Sequence, residues 1–358
     1  QDNWLQLNVL ASSAHVAAVI KANAYGLGAM QVGNALYSVG CREFFVATFE
    51  EGIAARSFLP AQAIIYVLGG VRHGMERNFV EARLIPVLCS VAAIKNWAKL
   101  NADLAITSPS VIKINTGMTR FGLDIDEFKI FCSDEALIKA SNPILLMSHL
   151  ACADEPDHPL NEAQRKTFFE CTSWIKNAIP GIRFSFANSS GIFLGDSWHF
   201  DLVRPGAALY GIAPQINIIN PLKAVVRLAL PIVQVRTLSE PASIGYGAEI
   251  VLPAGSRIAV VAGGYADGIN RTLGKNPEGV LCGYSVNSVG RVSMDVTIFD
   301  ISNVPLSDEQ LLQSTIEVIN DDLSLDYLSR KNTLLGYEVL TSLGSRYQRE
   351  YLLGANHD

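Results

Sequence analysis

A lysine at position 21 follows the run Val16-Ala17-Ala18-Val19-Ile20 and opens the segment Ala22-Asn23-Ala24-Tyr25-Gly26-Leu27-Gly28. The apolar run reads as a buried strand, and an ammonium is costly to bury, so a lysine at its end needs a reason. One reason is geometric: the stem lies along the core and the charged head reaches water. The other is chemical: an amine held in a dry pocket loses proton affinity and can condense with an aldehyde to a Schiff base. Asn23, Tyr25, Gly26 and Gly28 suit a turn that lets the backbone approach a phosphate or a substrate.

Further groups of this kind recur along the chain. Lys113 and Arg120 lie seven residues apart about the turn Asn115-Thr116-Gly117-Met118-Thr119, and taken alone they read as a solvated basic pair. Ser148-His149 closes an apolar run, where a histidine is commonly a satisfied core residue. Asn188-Ser189-Ser190 is an ordinary turn, or a set of hydroxyl and N–H donors for a phosphate at a helix N-terminus. Leu202-Val203-Arg204-Pro205-Gly206-Ala207 is more pointed. A buried arginine must be paired, and a Pro-Gly turn exposes backbone donors where a barrel commonly binds phosphate. Ser243-Ile244-Gly245-Tyr246-Gly247 sets a tyrosine between glycines, on its face a turn tyrosine with a solvated hydroxyl.

The elements that position these residues alternate. Apolar runs at Val16–Ala22, Phe44–Phe49, Ala63–Leu68, Leu84–Cys89, Ser110–Asn115, Ile144–His149, Arg183–Asn188 and Leu202–Tyr210 read as eight strands. Between them Gly28–Val39, Glu50–Phe58, Val91–Leu100, Asp124–Ala140 and Asn161–Ala178 carry apolar residues at helical spacing. Asn161 and Gln164 match a capping box. Repeated strand–helix alternation predicts an α/β fold, an N-terminal (β/α)8 barrel, in which chemistry gathers at the C-terminal ends of the strands. Lys21, Lys113, Thr116, His149, Asn188 and Ser189 all fall at that end, and Arg204 and Gly206 interrupt the eighth strand. After about residue 222 the pattern turns to β-rich segments at Val225–Thr237, Ile250–Pro253, Arg257–Ala262, Gly279–Val286 and Val289–Phe299. Helical patterns return only at Leu323–Arg330 and Tyr337–Arg346. The reading is therefore two domains, 1–222 and a mostly β domain at 223–358.

Composition bounds the partners. The 358 residues are 49% hydrophobic and 17% charged, which indicates a well-buried globular chain. A net charge of −6 supplies no basic patch for nucleic acid. No apolar run is long enough to span a membrane, and no signal-peptide pattern opens the chain, which begins at Gln1. The six cysteines show no CxxC pair and no metal-ligand spacing, which predicts reduced core residues, a cytoplasmic location and no metal site.

In order along the chain, the Lys21 segment, Lys113 to Gly122, Arg204 to Gly211, Ser243 to Gly247, Gly263-Gly264-Tyr265-Ala266-Asp267-Gly268-Ile269-Asn270-Arg271, Gly290-Arg291-Val292-Ser293-Met294-Asp295 and Arg346 to Arg349 together resemble the alanine racemases. That family usually reads Val-x-Lys-Ala-Asn-Ala-Tyr-Gly-His-Gly at the first segment, and Leu27 stands where it has the histidine. The resemblance implies a fold-type III enzyme that uses pyridoxal 5'-phosphate to interconvert L- and D-alanine, the D-isomer feeding peptidoglycan. Lys21 would hold the cofactor and serve the α-proton of D-alanine, and Tyr246 that of L-alanine. Arg204 would hydrogen-bond the pyridine nitrogen, oriented by His149. Tyr25, Asn188, Ser189, Gly206, Ala207 and Tyr347 would bind the cofactor, although the alignment sets Ser345 where many members place the phosphate tyrosine. Lys113 would carry an N-carboxyl group that orients Arg120 toward the cofactor ring oxygen and the substrate carboxylate. Tyr265, Met294 and Asp295 would line the substrate's approach. A head-to-tail homodimer with shared sites is implied, Tyr246 and Met294 coming from the partner. A broad-specificity racemase and a decarboxylase of the same architecture are the alternatives. The decarboxylase needs a glutamate at the ring nitrogen, where Arg204 stands. A non-catalytic carrier of the cofactor shares the lysine motif but is a lone barrel.

Overall fold

Short β-branched runs in the first 223 residues form parallel strands because each is too short for a helix and is covered on both faces. The computed structural model describes residues 1–216, 218–269, 277–332 and 334–352, so Asn270 and Arg271 of the Gly263 segment lie outside the described residues. Two compact units result, Gln1–Lys223 (with Leu352) and Ala224–Tyr351.

In the first unit the strands are β1 (His15–Val16), β2 (Ala18–Val19), β3 (Glu43–Val46), β4 (Ile64–Val67), β5 (Ile85–Leu88), β6 (Ser110–Lys113), β7 (Pro143–Met147), β8 (Arg183–Ser185) and β9 (Leu202–Val203). The strands β2 to β8 pair in chain order as one parallel sheet. The strand β9 joins its two edges. It pairs in parallel with β1, and beyond it the Arg204 N–H donates to the Ala187 carbonyl. Helices separate successive strands, the longest being Pro159–Ala178. Inward-facing Val19, Phe45, Tyr66, Val87, Val111, Leu145 and Met147 pack together, filling the barrel with side chains.

Several element boundaries differ from the sequence reading, each for a local reason. The first strand stops at Val19 because residues 22–25 adopt positive φ. The eighth is β9 alone, since Arg204-Pro205-Gly206 turns the chain into a 3-10 helix at Ala207–Tyr210. Asp124–Ala140 is two helices, Ile125–Ser133 and Glu135–Ser141, because Asp134 leaves helical geometry and its side chain caps the second at Leu137 N–H. The Asn161–Gln164 capping box does not form. His158 is the N-cap and Pro159 opens the helix, so Asn161 and Gln164 turn inward and are buried.

The second unit is an antiparallel barrel. Its strands β10 (Leu228–Thr237), β13 (Arg257–Ala262), β14 (Glu278–Leu281), β15 (Tyr284–Ser288), β16 (Val296–Asp300) and β17 (Thr315–Ile319) close in the order β10-β13-β16-β15-β14-β17. A side hairpin, β11 (Ala242–Ile244) with β12 (Ile250–Leu252), carries the Tyr246 turn. The Gly279–Val286 run is a hairpin instead of one strand, because Cys282 and Gly283 take φ of 49° and 86° between β14 and β15. Ordered strand in the Val289–Phe299 segment begins only at Val296. The C-terminal helices are Leu325–Asn332 and Gly336–Ser342. All six cysteines are free, but only Cys41 and Cys171 are buried, and Cys282 is exposed in its turn, contrary to a core role for it.

Candidate active site

Lys21 stands two residues beyond the end of the first barrel strand and leads into a turn that L-residues resist. Ala22, Asn23, Ala24 and Tyr25 all have φ of 52–54°, one turn of left-handed helix. Each such non-glycine residue costs ~1–2 kcal/mol, so the surroundings must hold it. The Ala24 N–H donates to Ile20 O at 2.9 Å, Gly26 N–H to Ala22 O at 2.8 Å, and Gly28 N–H to Asn23 O at 2.9 Å. The Asn23 side chain accepts from Ala29 N–H at 2.8 Å. Glu51, from the helix Phe49–Phe58, accepts the Ala22 N–H at 2.7 Å. The Tyr25 ring packs on Tyr210 with centroids 4.7 Å apart.

The barrel gathers the other strand-end residues here. Lys113, 6% exposed at the end of β6, has its ammonium 5.4 Å from the Phe121 ring centroid. Burial, with the charges of Arg204, Arg120 and Lys21, pushes its pKa down to about 8 despite the opposing influence of Cys89. Burial and Arg120 likewise lower Lys21, partly offset by Glu51. His149 is held neutral by desolvation, and the same four cations (Arg204, Lys113, Arg120 and Lys21) push its pKa further down. Arg204 is 4% exposed, and burial lowers it to about 9, so it stays charged at neutral pH. Neutral oxygens satisfy its guanidinium, where the sequence reading required a paired charge. It donates to Ser148 O at 2.6 Å, Phe186 O at 3.4 Å and the Ser185 hydroxyl, and it meets His149 Nδ1 at 3.4 Å.

Beneath this cluster runs a neutral network. Gln164, fully buried, donates to His149 O at 2.9 Å and Thr116 Oγ1 at 3.1 Å, and it accepts from Ala151 N–H at 3.0 Å. Thr116 and Ser148 hydroxyls meet at 2.8 Å, and Ser148 Oγ donates to Ile114 O at 2.9 Å. On the far side of the opening, the Ser189 hydroxyl accepts from Gly206 N–H at 2.9 Å and Ala208 N–H at 3.1 Å. The Asn188 side chain caps the short Ser189–Ile192 helix through Gly191 N–H. A Cβ on Gly206 would stand 2.4 Å from the Tyr25 hydroxyl, so only glycine leaves this space open.

Glu51, Gln164 and Ser185 were missed by sequence reasoning. Thr48-x-x-Glu51 is a readable capping box, and that signal could have drawn attention to Glu51. Gln164 was visible but assigned to a cap, and nothing local marks Ser185.

In the second unit Tyr246, Tyr265 and Met294 are 70%, 43% and 52% exposed on loops laced to one another. Tyr265 and Ala266 N–H groups donate to Ser293 O and Met294 O, both at 3.0 Å. Gly290 packs against Ile244 O, at the base of the Tyr246 turn. Arg346 spans Asp267 at 2.6 Å and Asp295 at 2.7 Å. The Tyr347 hydroxyl is buried with no hydrogen-bond partner, and Ser345 is exposed. Among the described residues no cluster of His, Cys, Asp and Glu is placed to hold a metal ion, and no helix is long and apolar enough to cross a membrane.

The first unit's donor set fits an anionic, aldehyde-bearing cofactor. Four cations converge on a neutral imidazole, the amine at the strand end is one whose proton affinity is lowered, and a glycine keeps backbone approach open. The family model for the alanine racemase N-terminal domain matches residues 1–214, and that for the C-terminal domain matches 225–351. An alanine racemase of Rhodospirillum rubrum is 47% identical over 353 residues, 98% of this chain and 92% of its own length. A biosynthetic alanine racemase of Agrobacterium fabrum is 39% identical, covering 98% and 91%. The crystal structure of alanine racemase from Bartonella henselae with covalently bound pyridoxal phosphate superposes with a TM-score of 0.91 at 34% identity, covering 98% of this chain and 96% of that one.

Proposed function

The chain belongs to the alanine racemase family, and on that premise we propose that the cluster around Lys21 is its cofactor and substrate site. It is a pyridoxal-phosphate-dependent isomerase that interconverts L- and D-alanine, the D-isomer serving peptidoglycan. The observation that carries the site assignment is geometric: Lys113, Arg120 and His149 line one cavity, and the Arg204 guanidinium meets His149 Nδ1 at 3.4 Å. When bound, pyridoxal phosphate conjugates with the alanine α-carbon and acidifies its proton.

Lys21 attaches the cofactor and moves the α-proton of D-alanine. Tyr246 moves that of L-alanine, since inverting a centre needs proton-transfer groups on opposite faces. Arg204, held by carbonyls and a hydroxyl, would give a bound cofactor's ring nitrogen a hydrogen bond but no proton, which would leave the ring a weaker electron sink. His149 Nδ1 orients it. Tyr25, Asn188, Ser189, Gly206, Ala207 and Tyr347 would hold the phosphate side. Arg120 takes the substrate carboxylate, with Tyr265, Met294 and Asp295 along its approach.

Lys113 is placed for N-carboxylation. Its neutral amine, accessible because its pKa is about 8, adds to carbon dioxide and releases one proton. The product is an anion beside Arg120. Residues 1–222 form the cofactor domain, and residues 223–358 serve the site of a second copy in a homodimer. The exposed Tyr246 and Met294 support that sharing, because large side chains on laced loops call for a cover. The six free cysteines suit the cytoplasm.

The purified protein should absorb near ~420 nm, lose that band to borohydride, and show the reduced cofactor on the peptide containing Lys21. Lys21→Ala should lose both the band and racemisation. A reducible band that persists in Lys21→Ala would refute the assignment.

A further inference from the structure

We propose that Glu51 is a positioning residue for Lys21: its carboxylate clasps two N–H groups where the first two barrel strands part, and so holds the strained turn that aims the lysine. The inference rests on the reading that Lys21 carries the cofactor. The strands β2 and β3 pair through Ala18–Phe44 and Val19–Phe45, and the last backbone rung is Ile20 N–H to Phe45 O at 2.9 Å. Beyond it the chain at 22–25 turns left-handed, so no carbonyl of that segment can continue the parallel ladder. Two donors are left facing the gap, Ala22 N–H and Ala47 N–H. Glu51 accepts the first on Oε1 and the second on Oε2, each at 2.7 Å.

The chemistry selects a carboxylate. It is the side chain with two acceptor oxygens and no donor, whereas an amide would turn an N–H toward one of the two donors. The orientation of the Ala22 amide is set by ψ of Lys21, so a clasp on that amide fixes the direction from which the lysine side chain departs. Glu51 also lies close enough for its charge to favour the lysine's protonated form, against burial and Arg120.

A merely structural role is available to compare. Glu51 is the third helical residue of Phe49–Phe58 and completes a capping box with Thr48: Thr48 Oγ1 accepts from Glu51 N–H at 3.3 Å, and Glu51 Oε2 accepts from Thr48 N–H at 3.4 Å. Glutamine at this place still completes a capping box. Glu51→Gln, with its amide oxygen in the Oε2 place, therefore keeps the cap and loses the Ala22 half of the clasp, while Thr48→Ala removes the hydroxyl half of the cap and keeps the clasp.

The test uses holoenzyme of wild type, Glu51→Gln and Thr48→Ala, with three measurements: thermal midpoint, racemisation kinetics, and the rate at which hydroxylamine strips the visible band. Glu51→Gln should lower kcat at least ~10-fold and raise the stripping rate by a similar factor, because a misaimed group loses its effective concentration. Its thermal midpoint should fall no more than that of Thr48→Ala, which in turn should keep wild-type kcat and stripping. If Glu51→Gln does not fold, Glu51→Asp, whose shorter arm cannot span both donors, should show the same pattern. Wild-type kcat and stripping in the Glu51 variant, or equal losses in Thr48→Ala, would overturn the proposal. Borohydride mapping separates the two readings. Label off Lys21 in wild type defeats the lysine assignment and this inference with it, whereas label on Lys21 with an indifferent Glu51 defeats only the inference.

Discussion

Lys113 and Gln164 show how much a single buried side chain commits at this site. Lys113 has a folded-state pKa of about 8 against an ordinary value of 10.5, so between those values the unfolded chain binds more protons. Stability should therefore rise with pH across that window, by at most about 3 kcal/mol, and the penalty should be constant below it. In carbonate-free buffer, urea midpoints of wild type should rise between pH 8 and 10 relative to those of Lys113→Met. Parallel curves for the two proteins would show that this amine is not the titrating group. N-carboxylation would remove the effect, so added bicarbonate should flatten the wild-type curve. Gln164 makes a different commitment, since it satisfies Ala151 N–H, His149 O and the Thr116 hydroxyl at once. Gln164→Leu keeps the volume and strands those groups, and chemical denaturation should record a loss of about 2–4 kcal/mol. Gln164 was in plain view in the sequence but its partner was not. A glutamine three residues after Asn161 satisfies the capping pattern, and only Pro159 two residues earlier, with His158 as cap, rules it out.

At the scale of elements, the segment Lys21–Gly28 and the turn Arg204–Gly206 behave as one device. The Tyr25 hydroxyl fills the space where a Cβ on residue 206 would stand, 2.4 Å away. Gly206 has φ of −125°, outside the positive-φ region that favours glycine, and the clash is the main obstacle to alanine there. Gly206→Ala should cost about 1–3 kcal/mol and weaken cofactor retention. Tyr25→Phe removes the clashing oxygen, so the double variant should be more stable than the sum of the two single changes implies. Additive losses would mean that the two segments do not meet. The tight glycine was legible as a motif, as was the polar turn after the lysine. The handedness of that turn was not, because Ala-Asn-Ala-Tyr has no local preference for positive φ. The Glu51 hydrogen bond to Ala22 N–H and the packing of Tyr25 on Tyr210 reach it from outside the segment. Asn161 in the long helix is a similar case: its amide donates to Cys152 O at 3.1 Å and Glu155 O at 2.9 Å, tying down the loop that follows His149.

For the whole molecule, the proposed sharing of sites between two copies makes a sharp prediction. Lys21→Ala and Tyr246→Phe should each be nearly inactive, yet a mixed dimer has one site with both groups intact. Mixing the two under subunit exchange should restore activity, up to about a quarter of wild type for random pairing. Confirmed exchange without recovery would place Tyr246 in its own chain's site or outside the chemistry. In Tyr246→Phe alone, solvent exchange of the L-alanine α-proton should fall by ~10²–10⁴, well beyond that of D-alanine. Legible in the chain alone are the alternation of elements and the barrel end at which the candidate residues gather. Apolar periodicity declares each element locally, and parallel strands all present their C-terminal ends to one side. The order of reactive residues, from Lys21 to Arg349, was likewise sufficient to identify the family. Which distant groups meet is fixed by the folded chain alone. Glu51 reaches Ala22 across 29 positions, Gln164 reaches Thr116 across 48, and Ser185 meets Arg204 across 19. Bonds of that span leave no periodic trace in the chain, because they form between elements whose separation is set by barrel closure and not by local conformation.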